Sequence, residues 1–369
     1  MSYQACKRYI AAVTQYFVTT TGNVCATELD AFTKGAEFGV PCHKVVIFVD
    51  EAAKDLEINV WAGIVNQTWA DKVHGVFLFG DDKQLKPTNT SSKKNDRYNA
   101  FSDRLDISLP CRLVRQGFPH FRLLEQRRMN AAIAAFPNRA FYDGLLRDGP
   151  KALRPLEPVM LGLHAVLKGI LQKKLCNNII TNEHVRLAWI EIVARREYRN
   201  DSAYVDKHTS EFFEKVYPDL LGYFKQPQQE GKTVEGHMMI ICAYKEALLR
   251  YCTKRDELLK RDASLTLADM PRILTVEASQ GEESTMVVLD GSFQFGDAIG
   301  FMDDKGRCNV ALTRAKEVLW VLGGRMGMKV KGEHRSYSAR TLLEMFERGE
   351  RDPHGNVLNG ITRYKVLPG

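Results

Sequence analysis

"KVVIFVDEAAKD", residues 44–55, runs apolar and mostly β-branched from Val45 to Val49, then ends in two adjacent carboxylates, Asp50 and Glu51. An apolar run without alternation marks a strand of a parallel sheet covered on both faces. A carboxylate at the C-terminal end of such a strand lies where parallel sheets bind ligands. Alone the pair is weak evidence, because Asp-Glu also opens ordinary helices and complements their dipole.

Outward from this stretch the same kind of run recurs. "YFVTTT" (16–21), "GVFLFGD" (75–81), "VRLAWIEI" (185–192), "HMMIICAY" (237–244), "ILTVE" (273–277), "TMVVLD" (285–290) and "VLWVLGG" (318–324) read as strands. "SEFFEKVYPDLLGYF" (210–224) and "EALLRYCTKRDELLKR" (246–261) carry apolar residues at helical spacing. The alternation predicts an α/β fold with parallel sheets. The polar stretch 86–99 reads as a linker, 225–236 as a loop, and "ARTLLEMFERG" (339–349) as an amphipathic helix in the tail.

The 369 residues allow about two domains, and a 44% hydrophobic, 26% charged composition is that of a folded globular protein. A net charge of +7 fits a polyanionic partner without demanding one. No apolar stretch is long enough to span a membrane and the N-terminus has no signal-peptide order, so an intracellular location, cytoplasm or nucleus, is expected. Eight scattered cysteines contain no C-x-x-C pair, which argues against a zinc module or disulfide framework and for reduced, mostly buried thiols.

Four further stretches accompany the acidic pair: "GDDKQLKPT" (80–88), "LLEQRRMN" (123–130), "TVEASQGEES" (275–284) and "NVALTRAKEVLWVLG" (309–323). In this order they resemble the superfamily 1 helicases, in particular the Upf-like branch, over about residues 16–325. "VALTRAK" and "SQGEE" are the most specific parts. The resemblance implies two RecA-like domains of the P-loop NTPase superfamily. They are placed at 1–100 and 101–335, the first incomplete, with a tail at 336–369.

The resemblance also implies roles. ATP would sit between the two domains, Asp50 would hold Mg²⁺, Glu51 would act as base toward water, and Gln84 would touch the γ-phosphate. Arg128 and Arg314 would reach the developing charge on the transferred phosphoryl group, where a planar, permanently charged fork is suited. Gly281 would let the backbone approach the phosphates, and Glu283 would bind the ribose hydroxyls. Thr20 or Thr21, Tyr244, Lys245 and Thr275 match positions that contact the backbone of single-stranded RNA or DNA. Such contacts fix position without reading sequence. Tyr244 and Lys245 also fit an ordinary helix start.

The sequence departs from the family pattern at Lys86 (a proline there), Arg127 (a tyrosine) and Glu277 (an aspartate). More importantly, Gly-x-x-x-x-Gly-Lys-Ser/Thr, whose backbone N–H groups and lysine cradle phosphates, does not occur. "GKT" at 231–233 has Gln226 where the first glycine belongs. Two further β–α units of about 30 residues each precede the acidic strand in the family, and 49 residues precede Asp50 here. Two expectations follow. One is an ATP-dependent helicase or translocase represented without its phosphate loop, hence with little turnover as an isolated polypeptide. The other is a non-catalytic module, derived from a helicase, that binds nucleic acid or a protein.

Overall fold

Most of the apolar runs become parallel strands, and they fall into separate sheets. The computed structural model describes residues 2–89, 101–152, 158–170, 186–192, 202–291, 302, 304–323 and 363–366. The chain forms two units, Met1–Arg122 and Leu123–Gly369. The expected tail helix, and all but the first four residues of the expected linker, lie outside the described residues.

In unit 1, α1 (Tyr3–Val13) precedes a series of 3₁₀ turns, then β1 (Val45–Val49), α2 (Glu57–Ile64) and β2 (Val73–Leu78). Two short helices, α3 (Ser102–Leu105) and α4 (Leu109–Arg115), close the unit. β1 and β2 pair in parallel, with Phe48 opposite Phe77 and Val49 opposite Leu78. The inner face is a small core in which Val49 and Ala52 pack with Val60 and Leu109. In a second cluster the indole of Trp69 packs with Leu29 and Val45 and donates to the Gly63 carbonyl at 2.9 Å.

Two expectations fail in this unit. "YFVTTT" is not a strand: residues 14–20 are irregular and lead into the turn Thr21–Asn23, with Tyr16 and Val18 exposed. A β-branched run is a strand only if a neighbour completes its ladder, and β1 pairs with β2 alone among the described residues. Nor is β1–β2 covered on both faces. Phe48 stacks on Phe77 with centroids 5.1 Å apart, and Phe79 extends the stack. All three rings, and Val46, are exposed.

Unit 2 begins with β3 (Glu125–Gln126), α5 (Ala131–Phe141) and β4 (Arg147–Asp148), β3 and β4 forming a short parallel pair. α6 (Pro158–Ile170), β5 (Leu187–Ile192), α7 (Ser202–Glu211) and α8 (Tyr217–Phe224) follow, the last two joined through one π-helical turn, Phe212–Val216. Then come α9 (Val234–His237), β6 (Met238–Cys242), α10 (Lys245–Arg261), β7 (Arg272–Thr275), β8 (Ser284–Asp290), α11 (Lys305–Leu312), β9 (Ala315–Gly323) and β10 (Arg363–Val366). The main sheet has the order β10-β5-β9-β8-β6-β7, every pair parallel.

Here the continuous apolar pattern does mean burial on both faces. Ile240, Val288 and Trp320 share one core with Leu163 and Leu167 of α6, Leu220 of α8 and Tyr251 of α10. The alternate residues Met239, Ile241, Val287, Leu289, Leu319 and Val321 are buried as well, and α5 packs against β9. Each such aliphatic side chain contributes about 1.5–3 kcal/mol relative to exposure. A buried polar contact pins α7 to the sheet: His208 Nδ1 lies 3.3 Å from Asp290 Oδ1, both side chains fully enclosed.

The seven described cysteines are free thiols, as expected. They are not mostly buried: Cys242 and Cys308 are enclosed, whereas Cys6 and Cys25 are exposed. No described helix is long and apolar enough to cross a membrane.

Candidate functional site

In unit 1 an acidic turn caps the C-terminal ends of β1 and β2. Asp50 follows the last residue of β1, and its Oδ1 accepts the Glu51 amide at 2.9 Å. Glu51 has φ +50°, a left-handed conformation that costs a non-glycine residue about 1–2 kcal/mol. Strain of this kind collects where function needs a fixed geometry. The turn is pinned from both sides, because the Ala52 amide donates to the Phe79 carbonyl at 2.7 Å and the Phe79 amide to Val49 at 2.9 Å.

The loop after β2 lies against that turn. Asp81 accepts from the Lys83 amide at 2.9 Å and from Gln84 Nε2 at 2.7 Å, which fixes the Gln84 side chain. Gly80 makes the close approach possible: a Cβ there would stand 2.7 Å from the Ala53 nitrogen. Asp50, Glu51 and Gln84 thus come to one sheet edge. An exposed carboxylate there suits a Mg²⁺ ion, which keeps several waters and takes only one or two protein ligands. No cluster of three or more potential metal-ligating side chains occurs among the described residues. Thr20 and Thr21 sit at the start of the 3₁₀ turn Thr21–Asn23, apart from any strand.

Unit 2 builds a cationic cluster from three stretches far apart in sequence. Gln126 folds back on its own turn, its amide donating to the Met129 carbonyl and accepting the Met129 N–H, both at 2.9 Å. It also bonds to Asp148 of β4. Asn130 caps α5 through the Ala132 amide, and its own N–H donates to the Lys316 carbonyl at 2.7 Å. Arg128 is thereby brought beside the 313–316 stretch. Its Nε lies 3.0 Å from Glu283 Oε2 and its Nη1 donates to the Thr313 carbonyl at 3.3 Å. Lys316 Nζ reaches the other oxygen, Glu283 Oε1, at 2.5 Å. Hydrogen bonding from Lys316, aided by Arg128, holds the Glu283 carboxyl below the ordinary glutamate range against the opposing effect of partial burial.

Arg314 converges on Thr313 from inside. Its side chain is only 1% exposed; Nε donates to Val310 at 3.0 Å, Nη2 to Thr313 Oγ1 at 2.8 Å, and Nη1 to the Glu282 carbonyl at 3.5 Å. Thr313 passes the chain on to the Asn309 carbonyl at 2.8 Å. Gly281 has φ +83° with open space around it, so the turn that presents Glu283 requires glycine for its backbone and not for room.

A third group lies at the C-terminal ends of β6 and β7, which pair with Cys242 opposite Thr275. Tyr244 is the N-cap residue of α10 and Lys245 its first residue, both exposed. Thr275 Oγ1 accepts the Ala278 amide at 3.2 Å, shaping the turn that leads to Gly281. Glu277 pairs with Arg307 at 2.9 Å. Arg127, by contrast, is largely exposed and pairs with its neighbour Glu125 at 2.7 Å.

Sequence reasoning assigned no role to Lys316, although it lies inside a quoted motif; its link to Glu283 spans 33 positions and leaves no local signal. Arg272 was likewise missed. It braces the cluster through the Glu282 carboxylate at 2.6 Å and the Glu283 carbonyl at 2.7 Å.

Comparison with known proteins agrees with the motif reading. A model of the AAA domain family matches residues 105–326. Helicase SEN1 of Saccharomyces cerevisiae is 25% identical over 329 residues, covering 87% of this chain and 13% of that protein. An uncharacterised ATP-dependent helicase of Methanocaldococcus jannaschii is 27% identical, covering 83% of this chain and 38% of that one. A Neurospora crassa homologue of regulator of nonsense transcripts 1 is 28% identical, covering 67% and 20%. The chain therefore spans well under half the length of these curated relatives. Among solved structures, an Arterivirus helicase, nonstructural protein 10, in complex with DNA has a TM-score of 0.33 at 15% identity, covering 76% of this chain and 40% of that one.

Proposed function

From the premise that the chain belongs to the AAA domain family and to the Upf-like branch of the superfamily 1 helicases, we propose that it works as part of an ATP-dependent helicase or translocase acting on single-stranded RNA or DNA. The observation that carries this reading is the convergence of Arg128 and Arg314 on Thr313 from positions 185 and 1 residues away in sequence. Guanidinium groups placed at a transferring phosphoryl group are worth about 10³–10⁵ in rate.

Each unit brings its own share of the chemistry. In unit 1 Asp50 would hold Mg²⁺, which when bound neutralises charge on the phosphates. Glu51, fixed by its left-handed backbone, takes a proton from the water that attacks the γ-phosphorus as ADP departs. Gln84, oriented by Asp81, contacts the γ-phosphate. In unit 2 Arg128 meets the charge that develops on the transferred group, with Arg314 behind it. Tyr244, Lys245 and Thr275, with Thr20 and Thr21 in unit 1, contact the nucleic-acid backbone.

A second reading, a non-catalytic nucleic-acid-binding or protein-interaction module, is favoured by one observation: Arg314 is enclosed and bonded to its own backbone, as a structural arginine would be. Hydrolysis requires a Gly-x-x-x-x-Gly-Lys-Ser/Thr loop, which these 369 residues do not contain. The deciding assay is single-strand-stimulated ATP hydrolysis by the chain joined to a relative's loop-bearing segment. Stimulated turnover abolished by Glu51→Gln supports the enzyme. Absent turnover together with salt-dependent strand binding supports the module.

A further inference from the structure

The Arg128–Glu283–Lys316 cluster has the form of an occupied anion site. One carboxylate spans two cations, giving Oε2 to Arg128 at 3.0 Å and Oε1 to Lys316 at 2.5 Å. Two oxygens of a terminal phosphate would span them the same way.

The backbone around the three residues is fixed independently of these side chains. The Asn130 amide holds the Lys316 carbonyl at 2.7 Å, the Ser284 amide holds Arg314 at 3.1 Å, and Arg272 holds the Glu283 carbonyl at 2.7 Å. The carboxylate can therefore swing away without disturbing the frame. The side chains are 30–41% exposed, and ion pairs at that exposure stabilise little. Glu283 is cheap to displace, and a phosphate of higher charge is the better partner for two cations.

We propose that Arg128 and Lys316 form a seat for a terminal polyphosphate group, that Lys316 is a phosphate-binding residue, and that Glu283 fills the seat until phosphate arrives. The inference rests on the triphosphate reading above and gives Glu283 a task before any contact with ribose. Affinity for phosphate then includes the cost of expelling an internal competitor.

The test is calorimetric binding of inorganic tripolyphosphate, and separately of ATP, to the full chain at low ionic strength. Tripolyphosphate has no ribose, so a ribose contact of Glu283 cannot influence it. Glu283→Gln, isosteric and on the surface, is expected to tighten tripolyphosphate about five- to tenfold. The gain should vanish when Arg128→Ala or Lys316→Ala is added. Unchanged or weaker binding by Glu283→Gln, or no binding by either form, overturns the seat. A tightened seat that holds ATP no better than tripolyphosphate supports this inference while refuting the adenine-nucleotide reading. ATP binding with tripolyphosphate indifferent to Glu283 does the reverse.

Discussion

Replacing Arg314 by alanine should unfold more than it disarms. The guanidinium makes two short bonds, to Val310 at 3.0 Å and to Thr313 Oγ1 at 2.8 Å, in a side chain that is 1% exposed. Hydrogen bonds from a charged donor contribute about 1.5–3 kcal/mol each. Taking the lower figure, because removing the guanidinium also relieves its own desolvation, the two bonds are worth roughly 3 kcal/mol. For a unit of this size 1 kcal/mol moves the midpoint about 2–4 °C, so Arg314→Ala should melt about 6–12 °C lower. Arg314→Lys should recover little, since an ammonium cannot serve the same fork of acceptors. Arg128→Ala, whose partner is a half-exposed carboxylate, should melt within about 4 °C of the parent. Thermal unfolding with hydrogen exchange read at the β8 and β9 amides assigns the change to unit 2. Equal small shifts for both alanine variants would refute the structural role given to Arg314.

Three other perturbations follow from the turns and from one ion pair. Gly80→Ala places a Cβ 2.7 Å from the Ala53 nitrogen and should destabilise unit 1 by about 1–3 kcal/mol in a urea titration, whereas Gly281→Ala meets open space and should cost only the 1–2 kcal/mol of left-handed strain. The Glu57 carboxyl is held below its ordinary range first by hydrogen bonding from Arg112, whose Nη2 donates at 2.6 Å and Nε at 2.8 Å. A lowered pKa means the pair contributes fully above the ordinary glutamate range and is lost as pH falls through the lowered value; Glu57→Gln should therefore melt lower at pH 7 and show a shallower acid decline.

Much of the sheet was legible because burial on both faces leaves a continuous apolar imprint. β6, β8 and β9 carry that imprint and stand within a few residues of the stretches read as strands. The same imprint misled at 16–21, where β-branched residues lie in irregular chain, and at Phe48 and Phe77, apolar yet exposed. Sequence reports what a residue prefers to bury, not whether a neighbouring strand or helix is there to cover it. At the candidate site, the placement of Asp50, Glu51 and Gln84 just beyond strands was readable from the apolar runs that precede them. The inward turn of Arg314 and the link from Lys316 to Glu283 were not, since side-chain direction and pairing across 33 positions leave no periodicity. The contribution of 212–224 to the main core was legible in its apolar residues at helical spacing.

The proposed function rests on ATP hydrolysis that needs Glu51 and Arg128 alike. A double-mutant cycle on kcat for strand-stimulated ATP hydrolysis, using Glu51→Gln and Arg128→Ala in the loop-completed chain, tests it directly. Groups acting on one transition state are strongly non-additive, so each single change should cost about 10³-fold and the double change little more than the worse of the two. Losses that simply multiply would mean independent effects and would contradict the account.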